Sequence, residues 1–324
     1  QQSKRASGEE MRPAVSVIMP VYNGEKYIAR AVQSVYAQDV PLELIVIDDG
    51  SVDGTREALI PWENRPDFVY IKNERNLGAA GSRNRGVSVA KGRYVAFLDA
   101  DDWWEEGKLA AQLAALEMTG DVICSTGRDL MNPDGTFTGK YIPVKSRLDY
   151  HELLKHNSIN CSSVLILREV ALEFPMEHDD SHEDYITWLK VVRKYGHATG
   201  INKPYLKYRL SQGGKSRNKA KSAIMTYQVY RYVGYGPVRS ACFFLSYAHL
   251  RNLLDSQCFI CQQVLCLIHT NLKQICMRGT LEKFLIAGIE LAFFQADLFT
   301  KFCGVPWLCV IREHFQSKLS KSRI

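Results

Sequence analysis

The sequence predicts an α/β fold, with a mostly parallel central sheet, helices on both faces and a helical C-terminal appendage. Two observations carry that expectation. Short apolar runs alternate with stretches of helical spacing over residues 15–98, the pattern of βαβ units. Each run also stops at a turn or an acidic segment, and right-handed crossovers put all such stops on one edge of the sheet.

Residues 15–20 are an apolar strand stopped by Pro20, and Asn23-Gly24 turns the chain. Residues 25–38 have helical spacing through Ile28, Ala31, Val32 and Val35. A second strand, residues 42–47, runs into Asp48-Asp49-Gly50-Ser51, and Asp53-Gly54-Thr55 opens the next helix. The third strand is residues 68–72, and the small residues Gly78 to Gly81 lead into a helix bearing Arg83. Residues 94–98 read as a buried strand ending at Asp99-Ala100-Asp101-Asp102. A helix over 105–118, a strand over 122–125, a turn at Asn132-Pro133-Asp134-Gly135 and a strand over 160–167 follow. Glu183-Asp184 opens a helix whose apolar stripe runs through Ile186, Leu189 and Val192. Residues 211–217 form a Gly- and Lys-rich loop, and beyond residue 221 the composition turns helical, aromatic and cysteine-rich.

Asp48, Asp49, Asp99, Asp101 and Asp102 hold equivalent positions in their units, so they converge at the strand ends, where open α/β sheets bind ligands. Clustered hard oxygen ligands suit Mg²⁺ or Mn²⁺ carried by a phosphorylated substrate. A solvated turn capping the following helix is the alternative. The net charge of +6 suits a phosphate-bearing ligand or an anionic membrane surface. Without an arginine-rich helix or an aromatic-interleaved basic stripe, nucleic acid is not an expected partner.

The nine cysteines lack framework spacing, which implies a reducing, cytosolic compartment. Cys124 and Cys161 are expected in the core, and the Cys258–Cys261 CxxC has no companion pair at zinc spacing. Residues 1–12 are polar and do not read as a signal peptide, and no run of about 20 apolar residues supports a spanning helix.

The blocks Val17-Ile18-Met19-Pro20-Val21-Tyr22-Asn23, Val46-Ile47-Asp48-Asp49-Gly50-Ser51, Asn76-Leu77-Gly78 with residues 80–84, and Phe97-Leu98-Asp99-Ala100-Asp101-Asp102 occur in an order that resembles the family 2 glycosyltransferases. Glu183-Asp184-Tyr185, backed by Trp188-Leu189, looks like that family's acidic pair, and the likeness covers residues 15–209. The resemblance implies a Rossmann-like glycosyltransferase-A fold, an inverting mechanism and a nucleotide-sugar donor. It places Pro20, Val21, Tyr22 and Asn23 around base and ribose and Asp49 on a uracil imide. Ser51, Asn76, Gly78, Arg83, Asp99 and Ala100 complete the nucleotide site. Asp101 with Asp99, a DXD motif, would hold the metal, and Asp184 would be the catalytic base with Glu183 as the fallback.

From the residues alone, Asp49 could equally be a helix cap and Tyr22 a core residue. Arg83 could bind a phosphate oxygen or orient Asp99. Arg209, Lys215 and Arg217 could close over the pyrophosphate, or belong to a flexible solvated loop. The finer likeness is to bacterial enzymes of teichuronic acid, capsule and O-antigen synthesis, which implies a UDP-sugar donor and a glycan or lipid-linked acceptor.

The expected organisation is a tail over 1–13, a catalytic domain over 14–220 and a helical region over 221–324. The aromatic stretches 241–254 and 282–302 either pack on the catalytic domain or lie in a membrane interface at the inner face of the cytoplasmic membrane. Two other functions are open to such a sequence. A sugar nucleotidyltransferase wants a Gly-rich basic loop after the first strand, where this chain has Pro20-Val21-Tyr22-Asn23-Gly24. A non-catalytic nucleotide-sugar or glycan-binding protein would not need the acidic pair.

Overall fold

In a computed structural model that describes residues 13–210 and 219–255, the first apolar run forms β1 (Val15–Val21) within a ten-stranded sheet. Two strands lie parallel on one side of it, β2 (Leu42–Asp48) and then β3 (Phe68–Lys72), and β4 (Tyr94–Phe97) is parallel on the other. The connections contain α1 (Ile28–Tyr36), α2 (Thr55–Ala58) and α3 (Gly78–Val89). The order β3-β2-β1-β4 reverses the winding between β1 and β4, so the crevice of a doubly wound sheet opens there. Helices cover both faces of β1. Val15, Val17, Met19 and Val21 share a core with Ile28, Ala31, Val32 and Val35 of α1. Ile18, on the opposite face, meets α3 at Gly86, where a side chain would collide with it.

The second half adds β5 (Trp103–Trp104), α4 (Lys108–Thr119), β6 (Ile123–Met131), β7 (Phe137–Ile142), β8 (Arg147–Asp149), α5 (Tyr150–Lys155), β9 (Leu165–Leu167), α6 (Arg168–Glu173), α7 (Glu183–Tyr195) and β10 (His197–Arg209). From β4 the sheet continues β9-β6-β10-β5. β9 is antiparallel to both β4 and β6, which returns β6 and β10 to the direction of β1. The short β5, β7 and β8 are antiparallel additions. The parallel expectation thus describes the long strands, and the reversed ones make the sheet mixed.

Three departures from the sequence expectation have a visible cause. The strand expected over 160–167 is a 3-10 turn, Cys161–Ser163, before the shorter β9, because Asn160 caps the turn by accepting from Ser162 N. β6 runs on to Met131 because β10 pairs with it along its length. β10 itself carries no clear alternation, since its register slips between Ile201 and Leu206, a stretch that contains Pro204.

Gly92 marks a close crossing before β4. A Cβ there would fall 2.6 Å from the Ser16 backbone nitrogen. Gly92 N donates to Ser16 Oγ, which donates in turn to the buried Glu43 carboxylate. Gly92→Ala is expected to destabilise the fold by about 1–3 kcal/mol, because backbone must shift. An unchanged urea midpoint would contradict this.

The chain divides into two compact units, residues 1–212 and 213–324. In the second, α8 (Lys219–Tyr232) and α9 (Pro237–Asp255) are joined through a turn at Gly234, and the Tyr230 and Tyr235 rings lie 5.5 and 4.8 Å from Phe243. Among the described residues no helix is long and apolar enough to cross a membrane. Lys215, Arg217, the Cys258–Cys261 pair and the stretch 282–302 lie outside the described residues.

Candidate active site

The site is assembled from the loops that follow β1, β2 and β4. Asn23 takes a left-handed conformation (φ 53°), which frees its backbone N–H to donate to Ser51 Oγ (2.9 Å) while its side-chain oxygen accepts from Val52 N (3.0 Å). Gly24 N donates to Thr55 Oγ1 (2.8 Å), and Ala100 is its neighbour across the crevice. Val21 is buried and Pro20 half-buried, but Tyr22 is 56% exposed at the rim and is not a core residue.

Behind these loops, two adjacent carboxylates serve different partners. Asp48 accepts from Tyr70 Oη (2.6 Å) and Ser51 N (2.7 Å); burial pushes its pKa up, but these bonds outweigh that and hold it below the ordinary value. Asp49 accepts from Asn73 Nδ2 (2.7 Å), Leu77 N (2.8 Å) and Gly78 N (2.9 Å), so it does cap the start of α3. Asn76 joins this clasp, its Nδ2 reaching Asp49 O and its Oδ1 accepting from Gly78 N. Gly78 has φ +74°, and a side chain there would run into Asp179 of the segment before α7. The Asp49 clasp therefore lies against the loop that delivers the acidic pair.

Arg83 is the hub. One guanidinium nitrogen donates to Asp99 Oδ1 (2.6 Å) and the other to Glu183 Oε1 (3.1 Å), with the side chain only 6% exposed. Of the two roles open in the sequence, this geometry is that of orienting Asp99. Asn84, one residue on, exchanges hydrogen bonds in both directions with the Met176 backbone, tying α3 to the approach to α7. Asp99 N donates to Ser162 Oγ (3.1 Å), and Trp104 Nε1 donates to Ser162 O (2.7 Å), so the turn at 161–163 buttresses the acidic loop.

Asp101 and Asp102 carry the electrostatic tension of the site. Burial, then the charge of Asp99, raises Asp101; burial, then Asp101 and Asp99, raises Asp102 further. Asp102 Oδ1 accepts from Arg209 N (2.8 Å), whereas its Oδ2 is buried without a hydrogen-bond partner. Arg209 braces this turn from β10: its Nε donates to Asp101 O (3.0 Å), Nη1 to Pro133 O (3.0 Å), and its guanidinium lies 4.4 Å from the centre of the Tyr27 ring.

Glu183 and Asp184 begin α7, whose buried face includes Tyr185, Ile186, Trp188, Leu189 and Val192. Glu183 is committed to Arg83, while Asp184 accepts from the N–H of Tyr185 (2.7 Å). Burial, then the neighbouring Glu183 charge, raises the pKa of Asp184 from its ordinary 3.8 to about 6. Asp184 also feels Arg83 and Asp99, so the base candidate and the acidic turn share one electrostatic environment.

Asn73, Ser162, Tyr208 and Arg128 also belong here and were not singled out in the sequence. Asn73 alone had a signal, its place directly after a strand; the others act through contacts far along the chain. A separate concavity, lined by Tyr36, Leu42, Glu43, Arg65, Lys91 and Arg168, lies at the opposite ends of the strands, away from these residues.

Residues 16–174 match the family described as glycosyl transferase family 2. The putative teichuronic acid biosynthesis glycosyltransferase TuaG of Bacillus subtilis (strain 168) is 40% identical over 222 residues, covering 68% of this chain and 88% of TuaG. The chain belongs to glycosyltransferase family 2. WfgD of Escherichia coli, named as a UDP-Glc:alpha-D-GlcNAc-diphosphoundecaprenol beta-1,3-glucosyltransferase, is 35% identical over 212 residues, 64% of this chain and 81% of WfgD. Among solved structures, S. aureus TarS 1–349 in complex with UDP-GlcNAc superposes with a TM-score of 0.59 at 17% identity, over 74% of this chain and 72% of that one. The mannosyltransferase PcManGT of Pyrobaculum calidifontis, in complex with GDP-Man and Mn2+, gives 0.55 at 21% identity, over 89% and 81%. These two likenesses establish the glycosyltransferase fold, and the family displaces the nucleotidyltransferase alternative.

The donor set of this family 2 chain suits a hard divalent ion. Among the described residues no three His, Cys, Asp or Glu side chains form a ready-made metal group. Instead the acidic turn offers crowded carboxylates with raised pKa values and the unpartnered Asp102 Oδ2, a charge distribution that a cation relieves. Mg²⁺ needs only one or two carboxylates when substrate phosphates supply other ligands.

Proposed function

We propose that this chain is an inverting, metal-dependent glycosyltransferase that moves a sugar from a UDP donor to a glycan or lipid-linked glycan acceptor in surface-polysaccharide synthesis. The observation that carries it is the Asp99–Arg83–Glu183 bridge, which ties the acidic turn after β4 to the start of α7 and leaves Asp184 outside the ion pairs. The nucleoside takes the β1–β3 half, between the exposed Tyr22 ring and the loops held by Ser51, Asp49 and Asn76. Asp101, with Asp99, would hold Mg²⁺ or Mn²⁺, which when bound neutralises charge on the departing diphosphate. Asp184 accepts the proton of the acceptor hydroxyl. That oxygen attacks the anomeric carbon opposite the diphosphate, the bond to the diphosphate breaks with its electron pair, and the configuration inverts.

TarS is a fold relative in complex with UDP-GlcNAc, and WfgD is named for UDP-Glc and a diphosphoundecaprenol acceptor; both support the UDP and lipid-linked parts of the proposal. A thermal-shift titration with UDP and GDP, each with Mn²⁺ and with EDTA, tests the donor and the metal together. UDP is expected to stabilise the chain only with Mn²⁺. Stabilisation by GDP alone overturns the donor assignment, and a UDP effect unaltered by EDTA overturns the metal.

A lipid-linked acceptor brings the enzyme to a membrane surface, for which a charge of +6 is suited. In a flotation assay the full chain is expected to rise with anionic vesicles. Retention in the soluble fraction removes the membrane contact and cytoplasmic-face placement from the proposal.

A further inference from the structure

One basic side chain of the cleft has no part in the mechanism above. Arg128 lies on β6, in register with Leu206 of β10 and Ile142 of β7, and is half-buried. Its guanidinium has no hydrogen bond or ion pair with any described residue; its ring contact is Tyr208, 6.0 Å from the centroid, at the limit of a useful cation–π interaction. Arg83 and Arg209, by contrast, are engaged with carboxylates or carbonyls at 2.6–3.1 Å. Arg128 feels the charges of Asp102 and Asp184 but makes an ion pair with neither, and burial lowers its pKa from the ordinary value.

A guanidinium presents five N–H donors in a fixed fork, and those of the half-buried Arg128 are not among the fully buried nitrogens, so they stay accessible to a ligand. The sheet order separates Arg128 from the nucleotide half: β6 lies beyond β4 and β9 from β1. The donors of Arg128 therefore stand on the side of the transferred sugar and the acceptor, near Asp184.

We propose that Arg128 is a specificity-determining residue that takes an oxyanion, a carboxylate or a phosphate, of the transferred sugar or of the acceptor. This rests on the glycosyltransferase reading above and deepens it. The paired geometry of the fork favours planar or tetrahedral oxyanions over a neutral hydroxymethyl group, so a substrate carrying such an anion gains over its neutral counterpart.

The test uses the full chain with Mn²⁺ and the variants Arg128→Gln and Arg128→Lys. One arm compares UDP-glucuronate with UDP-glucose; the other compares a GlcNAc-diphospholipid with the phosphate-free octyl glycoside of GlcNAc. Both are read as affinity and as KM against kcat. The wild-type chain is expected to prefer the anionic member of one pair, and Arg128→Gln to lose that preference by about tenfold to a hundredfold in KM. UDP affinity should not change. Loss in the first arm assigns the anion to the donor sugar, and loss in the second to the acceptor.

Arg128→Lys keeps the charge but not the fork, so partial recovery is expected, and it carries the test should Arg128→Gln fail to fold. No anionic preference in the wild type, or the same preference in the variants, overturns the proposal while UDP binding leaves the glycosyltransferase reading standing. A wild-type chain that binds neither UDP nor GDP removes both.

Discussion

Asp184→Asn is expected to cut sugar transfer by about a hundredfold to ten-thousandfold while UDP affinity is retained. The substitution preserves the shape of the carboxyl and its hydrogen bond from Tyr185 N, and removes the ability to accept a proton. A raised pKa of about 6 makes Asp184 a stronger base than an ordinary carboxylate yet leaves it mostly ionised at pH 7. The wild-type rate is therefore expected to fall about tenfold per pH unit below pH 6, and the residual rate of Asp184→Asn to lack that limb.

The sign for stability runs the other way. A carboxyl titrating higher in the folded than in the unfolded chain contributes stability that is fully present below its unfolded pKa and lost as pH rises through about 6. Asp184→Asn is accordingly expected to be at least as stable as the wild type at pH 7. Wild-type transfer rates in Asp184→Asn would remove Asp184 from its role, and collapse of UDP binding would assign it a structural one.

Arg83→Met is expected to destabilise the protein by about 3–5 kcal/mol, because it strands Glu183 in the interior and strips Asp99 of its partner. The lower end is the expectation, since the Asp99 side chain is 34% exposed and regains solvation. Arg83→Lys keeps the charge but cannot reach two carboxylates at once, so an intermediate loss is expected. Urea unfolding measures both. A shift in Arg83→Met below about 0.5 kcal/mol would mean that the bridge is not what binds the two halves of the site together.

Much of this was legible in the chain itself. The βαβ half was readable because β1, β2 and β4 are buried on both faces and so are mostly apolar, as in Val17 to Met19 and Leu44 to Ile47. The acidic stops after β2 and β4, and the Glu183-Asp184 start of α7, followed from the same periodicity. β10 and the 161–163 turn were not readable, because the first has a register slip in mid-strand and the second buries serines whose partners are Asn160 and the distant Asp99. The side on which Tyr22 falls was undecided for a different reason: an aromatic residue after a strand fits a core or a rim equally well.

By itself, then, the sequence determined that its acidic strand ends gather on one edge of the sheet, since side-chain period and crossover handedness are local rules. Tertiary structure alone decided their partners. Arg83 spans 100 positions to reach Glu183, Arg209 N spans 107 to hold Asp102, and Arg128 is left with the Tyr208 ring and no hydrogen-bond or ion-pair partner among the described residues. Such choices depend on which elements the burial of both sheet faces brings together, and no local spacing encodes that.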